Sequence, residues 1–274
     1  MKVVHDRAEF FAARDELAGP VGLVPTMGAL HAGHLSLIEN SVRLSNATVV
    51  TIFVNPLQFG PNEDFARYPR TLESDVAACA AAGADLVWAP AVEDVYPGGP
   101  VQTSVLPGPL GDDLEGASRP GHFAGVLTVV AKLFGLVRPA VGYFGEKDYQ
   151  QLTLIRQMAA DLELMVAVAG VPTVREPDGL ALSSRNVYLS AADRQRATVL
   201  SRGLFAGQGA GPQGAEAVLS VARDVLATEP EVAVDYLELR GTDLGAVPAH
   251  GPARLLVAAR VGSTRLIDNV GVEL

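Results

Sequence analysis

The sequence predicts an α/β protein: an open, doubly wound parallel sheet followed by a smaller C-terminal α+β domain. Three observations carry this prediction. Short apolar runs alternate with segments of helical periodicity through residues 1–172. The repeated unit is strand, helix, strand, and such units close right-handed onto a parallel sheet. Beyond Val171-Pro172 the alternation stops, with helical segments first and strands after them.

Taken in order, residues 21–24 form a short apolar run, and Leu35, Ile38 and Val42 then recur at helical spacing. Residues 47–54 (ATVVTIFV) are β-rich and end at Asn55-Pro56, completing a first strand–helix–strand unit. Residues 71–82 read as a helix, 85–88 as a strand, 123–136 as a helix, 141–144 as a strand, 149–162 as a helix and 164–168 as a strand. A domain boundary is placed at 172/173. The second domain, 173–274, opens on a loop at 175–186 and continues with helical segments at 191–204 and 214–227. Residues 207–214 are rich in glycine and read as a flexible connection. Strands are expected at 232–239 and 255–261, and no internal repeat is evident.

At 274 residues and 28.6 kDa, the chain should bury about 73% of its unfolded surface, so it needs neither disulfides nor metals for stability. Its net charge of −10 and pI near 4.9 argue against a nucleic-acid binder or a protein held to anionic lipid by a basic face. A small anionic substrate stays possible, because a pocket answers to local charge. Only Lys2, Lys132 and Lys147 are lysines, so a lysine inside a motif attracts notice. Cys79 is the single cysteine and reads as a small buried apolar residue. The N-terminus lacks a signal-peptide apolar stretch, and the longest apolar segment, 123–137, is too short to span a bilayer. A soluble cytoplasmic protein with no membrane partner is expected.

The most informative stretch is Pro25-Thr26-Met27-Gly28-Ala29-Leu30-His31-Ala32-Gly33-His34. It falls where the first strand of the unit ends and a helix begins, which is where open parallel sheets bind ligands. Helix-terminal N–H groups attract phosphate, and Gly28 and Gly33 allow a ligand close to the backbone. His31 and His34 lie on the same side of one turn, both able to donate to phosphate oxygens. No third ligand is spaced to join them around zinc. No G-x-G-x-x-G follows the first strand, which disfavours a nicotinamide dehydrogenase. A second phosphate-facing corner is expected at Gly145-Glu146-Lys147-Asp148, between a strand and a helix, with a cation at its tip.

His-x-Gly-His in this position resembles the nucleotidyltransferase superfamily that includes class I aminoacyl-tRNA synthetases. Joined by FVNPLQFG and YPRTLESD, the run PTMGALHAGHLSLI resembles the pantothenate synthetase family, whose members join pantoate to β-alanine at the expense of ATP. Segments 119–126, 145–151, 175–186 and 259–269 share the resemblance, so it spans nearly the whole chain. It implies a Rossmann-like domain at 1–172 that binds nucleotide and pantoate, a lid domain at 173–274, and an AMP-forming acid–amine ligase working through a pantoyl adenylate.

The resemblance also implies site residues. His31 and His34 would steady the α-phosphate, with Lys147 and Arg185 as the other catalytic groups. Met27, Gly28, Gly33, Gly145 and Asp148 would contact ATP, as would Val174, Leu182, Ser183 and Ser184. Pantoate and β-alanine would meet Pro25, Thr26, Met27, Gln58 and Gln151, with Arg119 and His122 closing that side. Asp75 resembles a family carboxylate near magnesium, although Ser74 and Ala78 depart from the pattern beside it. Mg2+ would then be held mainly by ATP phosphates and water. Similar enzymes are homodimers. Two rival readings are an adenylyltransferase that stops at nucleotidyl transfer and a non-catalytic nucleotide-binding module.

Overall fold

The computed structural model describes residues 1–60 and 65–274. The chain divides into two compact units, Met1–Glu146 with Gln150–Pro172, and Lys147–Tyr149 with Thr173–Leu274.

The first unit is built on six parallel strands. In chain order its elements are β1 (Lys2–Val4), α1 (Arg7–Asp15), β2 (Val21–Thr26), α2 (Ala32–Leu44), β3 (Ala47–Ile52), α3 (Leu72–Ala81) and β4 (Leu86–Trp88). There follow the short helices α4 (Val92–Val95) and α5 (Glu115–Ser118), then α6 (His122–Val137), β5 (Val141–Gly145), α7 (Tyr149–Asp161) and β6 (Ala167–Val171). The strand order is β1-β4-β3-β2-β5-β6. Central strands β2 and β3 are buried on both faces, which is why their sequences run apolar without alternation. On one face Val24, Val50, Val87 and Tyr143 pack with Ile38 and Leu37 of α2 and Cys79 of α3. Helix α6 is apolar almost all round and largely buried; it stops at Arg138, which takes the left-handed conformation at φ 50°.

Two elements at the start of the chain escape the sequence pattern. Strand β1 has only three residues, two of them exposed, and is held by pairing to β4. Helix α1 begins at Asp6, whose carboxylate accepts from Glu9 N at 2.8 Å. Strand β6 starts three residues later than expected. Leu164 lies in the turn that closes α7, donating its N–H to Ala159 O at 2.9 Å, while Glu163 sits at φ 48°. Among the described residues no helix is long and apolar enough to cross a membrane.

The second unit packs helices on an antiparallel sheet. Its helices are α8 (Ala191–Arg196), α9 (Thr198–Gly209) and α10 (Ala215–Leu226), and its strands are β7 (Val232–Gly241), β8 (Pro252–Val261) and β9 (Thr264–Glu273), ordered β7-β8-β9. Leu200, Leu204, Val218, Ala222 and Leu226 form its core with Leu255, Val257, Leu266 and Val270. The expected flexible connection at 207–214 is instead the last turn of α9 and a 3-10 turn at Gly211–Gln213. Gly207 is buried there because a Cβ would stand 2.8 Å from Leu255 Cδ2 and 2.9 Å from Val218 O. Glycine at that position serves close approach of helices, not flexibility.

Candidate active site

Strand order reverses at β2, whose neighbours β3 and β5 lie on opposite sides. Strands β2 and β3 pair along their whole length, from Val21–Ala47 to Thr26–Ile52. By contrast, among the described residues β2 and β5 pair only at Gly22–Val141 and Leu23–Gly142. Their carboxyl-terminal halves therefore part, and the opening falls at the switch point where doubly wound sheets take ligands. Pro25, Thr26 and Met27 lie at this edge from β2, and Gly145 from β5.

The turn leaving β2 is held by its neighbours. Thr26 is buried; its Oγ1 donates to Thr51 O at 2.8 Å and accepts from Gly28 N at 3.3 Å. Gly28 and Ala29 both have positive φ, +84° and +51°. An alanine in that region costs roughly 1–2 kcal/mol, so something must hold it. Asp75 of α3 does so from a buried position: Oδ2 accepts from Ala29 N at 3.0 Å and Oδ1 from Leu30 N at 2.8 Å, while the Thr71 hydroxyl donates to Oδ2 at 3.1 Å. Both oxygens thus accept from the chain itself, and among the described residues no group of three His, Cys, Asp or Glu stands together to hold a metal ion without phosphate or water as further ligands.

Helix α2 is capped by imidazole. His31 Nδ1 accepts from Gly33 N at 3.1 Å and His34 Nδ1 accepts from His31 N at 3.3 Å, a reciprocal capping box. The two rings stand 4.1 Å apart. Because each Nδ1 accepts a backbone N–H, the neutral rings carry their proton on Nε2, so the far end of each imidazole is a donor. Gly33 is required by the same arrangement: a Cβ there would fall 2.8 Å from His31 Cε1. The paired histidines and the glycine between them are one device, a helix N-terminus that adds two side-chain donors to its own amides.

Gln58, Met27, Arg119 and His122 are also brought together. The Gln58 amide donates to Met27 Sδ at 3.1 Å, a weak acceptor, and its Oε1 accepts from Asn55 Nδ2 at 3.1 Å. Arg119 Nη1 faces His122 Nε2 at 2.9 Å. A guanidinium only donates, so Nε2 accepts and His122 Nδ1 carries the hydrogen that reaches Gln58 O at 2.8 Å. Gly125 of α6 lets this region close up, since a Cβ would meet Leu57 O at 2.1 Å.

Asn55, which in sequence reads as the start of an ordinary Asn-Pro turn, and Tyr96, which carries no sequence signal, also belong to this cluster. Asn55 is fully buried; its Nδ2 also bonds Gly125 O at 3.1 Å, and its Oδ1 accepts from Tyr96 OH at 2.9 Å. It thereby sets which way the Gln58 amide faces. Burial pushes the Tyr96 phenol well above its ordinary range, and Lys132 Nζ lies 5.5 Å from the centre of that ring. Of the adjacent glutamines, Gln150 is buried and donates to Leu110 O and Asp113 O at 2.8 Å each, which makes it a loop anchor; Gln151 beside it is half-exposed.

In the second unit, Lys147 is half-buried with Nζ 3.7 Å from Asp148 Oδ1. Leu182 N donates to Val174 O at 3.0 Å, joining the two ends of the hairpin that leads to Ser183. Ser183 Oγ then accepts from Arg185 N at 3.2 Å and caps a 3-10 turn over Ser184–Tyr188. Ser183, Ser184 and Arg185 are half-buried and lie close together on one short turn.

The fold and this site define a doubly wound α/β protein with a histidine-capped helix at the switch point of its sheet. The model of the pantoate-beta-alanine ligase family matches residues 2–271. The chain belongs to that family and is a ligase that forms a C–N bond. A pantothenate synthetase of Saccharopolyspora erythraea is 67% identical over 255 residues, covering 93% of this chain and 84% of that protein. The crystal structure of pantothenate synthetase from Thermus thermophilus superposes with a TM-score of 0.93 at 50% identity, covering 98% of this chain and 99% of that one. A pantoate-beta-alanine ligase from Francisella tularensis, solved in complex with "Beta-gamma ATP and Beta-alanine", matches with a TM-score of 0.82 at 35% identity, covering 98% of this chain and 97% of that one.

Proposed function

We propose that this protein condenses pantoate with β-alanine at the expense of ATP, through a bound pantoyl adenylate. In the first step a pantoate carboxylate oxygen attacks the α-phosphorus of ATP, the bond to the bridging oxygen breaks, and pyrophosphate leaves. In the second, the β-alanine amine attacks the activated carbonyl, AMP leaves with the carboxylate oxygen it received, and the amine releases a proton. The observation that carries this reading is the imidazole-capped start of α2. A helix N-terminus with two Nε2–H donors suits the negative charge that builds on an α-phosphate during displacement.

The remaining roles follow the family positions. Met27, Gly28, Gly33, Gly145 and Asp148 contact the nucleotide, with Val174 and Leu182 supplying main chain. Lys147, Ser183, Ser184 and Arg185 hold the departing phosphates, the planar fork of arginine suiting paired oxygens. Pro25, Thr26, Met27, Gln58 and Gln151 receive pantoate, with Arg119 and His122 beside them. Magnesium would be held mainly by ATP phosphate oxygens and water, and would there neutralise phosphate charge. Catalysis of this kind rests on positioning and charge stabilisation, with no covalent enzyme intermediate. Working on ATP suits a cytoplasmic enzyme.

The test is AMP release on mixing ATP, Mg2+, pantoate and β-alanine. AMP is expected to appear only when pantoate is present. AMP release that ignores the omission of pantoate would defeat the assignment.

A further inference from the structure

Three motifs far apart in sequence meet on one dipeptide in the second unit. Asn269 of β9 is buried and bonded through all of its polar groups. Its Nδ2 donates to Lys147 O at 2.9 Å, and its Oδ1 accepts from Arg254 Nε at 2.7 Å. Its N–H donates to Asp268 Oδ1 at 2.7 Å, and its carbonyl accepts from Arg175 Nη2 at 3.3 Å. Asp268, also buried, takes both terminal nitrogens of Arg175, at 2.6 and 2.9 Å. Arg175 in turn donates to Gly179 O at 3.1 Å, and it pairs with Ala181 across the hairpin that runs into Leu182 and Ser183.

The geometry permits one orientation of the Asn269 amide. Reversed, its NH2 would face the Arg254 donor and its oxygen would face the Lys147 carbonyl, donor against donor and acceptor against acceptor. Arg254 is fixed as well, its guanidinium lying 4.0 Å over the Tyr149 ring, whose hydroxyl donates to Thr242 O at 2.9 Å. The 3-10 turn carrying Lys147 is only three residues long, Glu146–Asp148. A long, four-carbon side chain projects accurately only if its own backbone is anchored.

We propose that Asp268 and Asn269 are positioning residues for the phosphate-binding groups. Asn269 anchors the main chain of Lys147, and Asp268, through Arg175, anchors the hairpin that presents Ser183, Ser184 and Arg185. Neither residue touches substrate. This inference rests on the proposed phosphate role of those groups, and it gives the terminal RLIDN motif a task.

The test is a double-mutant cycle between Asn269→Asp and Lys147→Ala in the full-length protein, read as kcat/KM for ATP. Asn269→Asp is nearly isosteric and keeps the acceptor for Arg254, but it turns an acceptor toward Lys147 O. It is expected to lower kcat/KM for ATP about tenfold, the lower end of what loss of a partner that orients a site's own ligands costs. The KM for pantoate should stay near the parental value. In the double variant the losses should fail to add, because Asn269 acts through Lys147. Should Asn269→Asp not fold, as judged by circular dichroism, Asn269→Ala completes the same cycle. Parental ATP kinetics in the Asn269 variant, or losses that add fully, would overturn the positioning role. Parental ATP kinetics in Lys147→Ala would overturn the phosphate role of Lys147 itself, and the positioning role with it.

Discussion

Replacing Asp75 by asparagine isolates what holds the turn after β2. The carboxylate accepts from two consecutive amides, Ala29 N and Leu30 N, at 3.0 and 2.8 Å. Asparagine keeps one carbonyl oxygen and turns an NH2 toward the other amide, so one half-buried N–H loses its acceptor. A hydrogen bond to a charged group contributes roughly 1.5–3 kcal/mol. About 1 kcal/mol of that should return as Ala29 relaxes out of its left-handed conformation. The expected net loss of stability is about 0.5–2 kcal/mol, read by urea unfolding. The larger effect is on function. A relaxed turn moves the imidazole cap that begins one residue later, and kcat/KM for ATP should fall about 10- to 100-fold, equivalent to about 1.4–2.8 kcal/mol. The magnesium concentration giving half-maximal rate should not change. Parental ATP kinetics with a raised magnesium requirement would refute the clamp and return Asp75 to metal binding.

Other perturbations test neighbouring parts of the account. Gly33→Ala places a methyl 2.8 Å from His31 Cε1; the cap should be lost at about 1 kcal/mol of stability, with turnover falling clearly while circular dichroism stays parental. His34→Ala should lower kcat by about 10² or more, the scale of losing a transition-state donor, and a folded variant with normal turnover would contradict its role. Burial, reinforced by the nearby Asp75 charge, pushes the Cys79 thiol from 9.0 up to about 11. The folded state therefore keeps a proton that the unfolded chain loses, and stability should fall as pH rises from about 9 to 11, by at most about 3 kcal/mol. Unfolding curves of Cys79→Ala should show a shallower decline over that window, and an unchanged slope would count against the shift.

The parallel sheet was legible because β2 and β3 are buried on both faces and must be apolar throughout. The histidine pair was legible because strand end, glycines and helix start all coincide there. What stayed hidden depended on partners far along the chain. Strand β9 was missed because Arg265, Asp268 and Asn269 interrupt its apolar alternation; Asp268 sits at a buried position only because Arg175 pairs with it. Residues 207–214 look alike in sequence whether glycine grants flexibility or close packing, and only the approach of α10 and Leu255 decides. Asn55 before a proline reads as an ordinary turn until Tyr96 and Gln58 are placed on its side chain. Lys132 gains its explanation from the ring of Tyr96, and the role of Asp75 becomes visible only when α3 is laid against the turn at 28–30.

The central claim is that the carboxylate is activated by transfer to the α-phosphate. Pantoate labelled with 18O in its carboxylate tests it most directly. With ATP, Mg2+ and β-alanine present, mass spectrometry should find one labelled oxygen in the phosphate of AMP for each turnover. Label appearing in inorganic phosphate with ADP as the nucleotide product, or AMP free of label, would contradict the account.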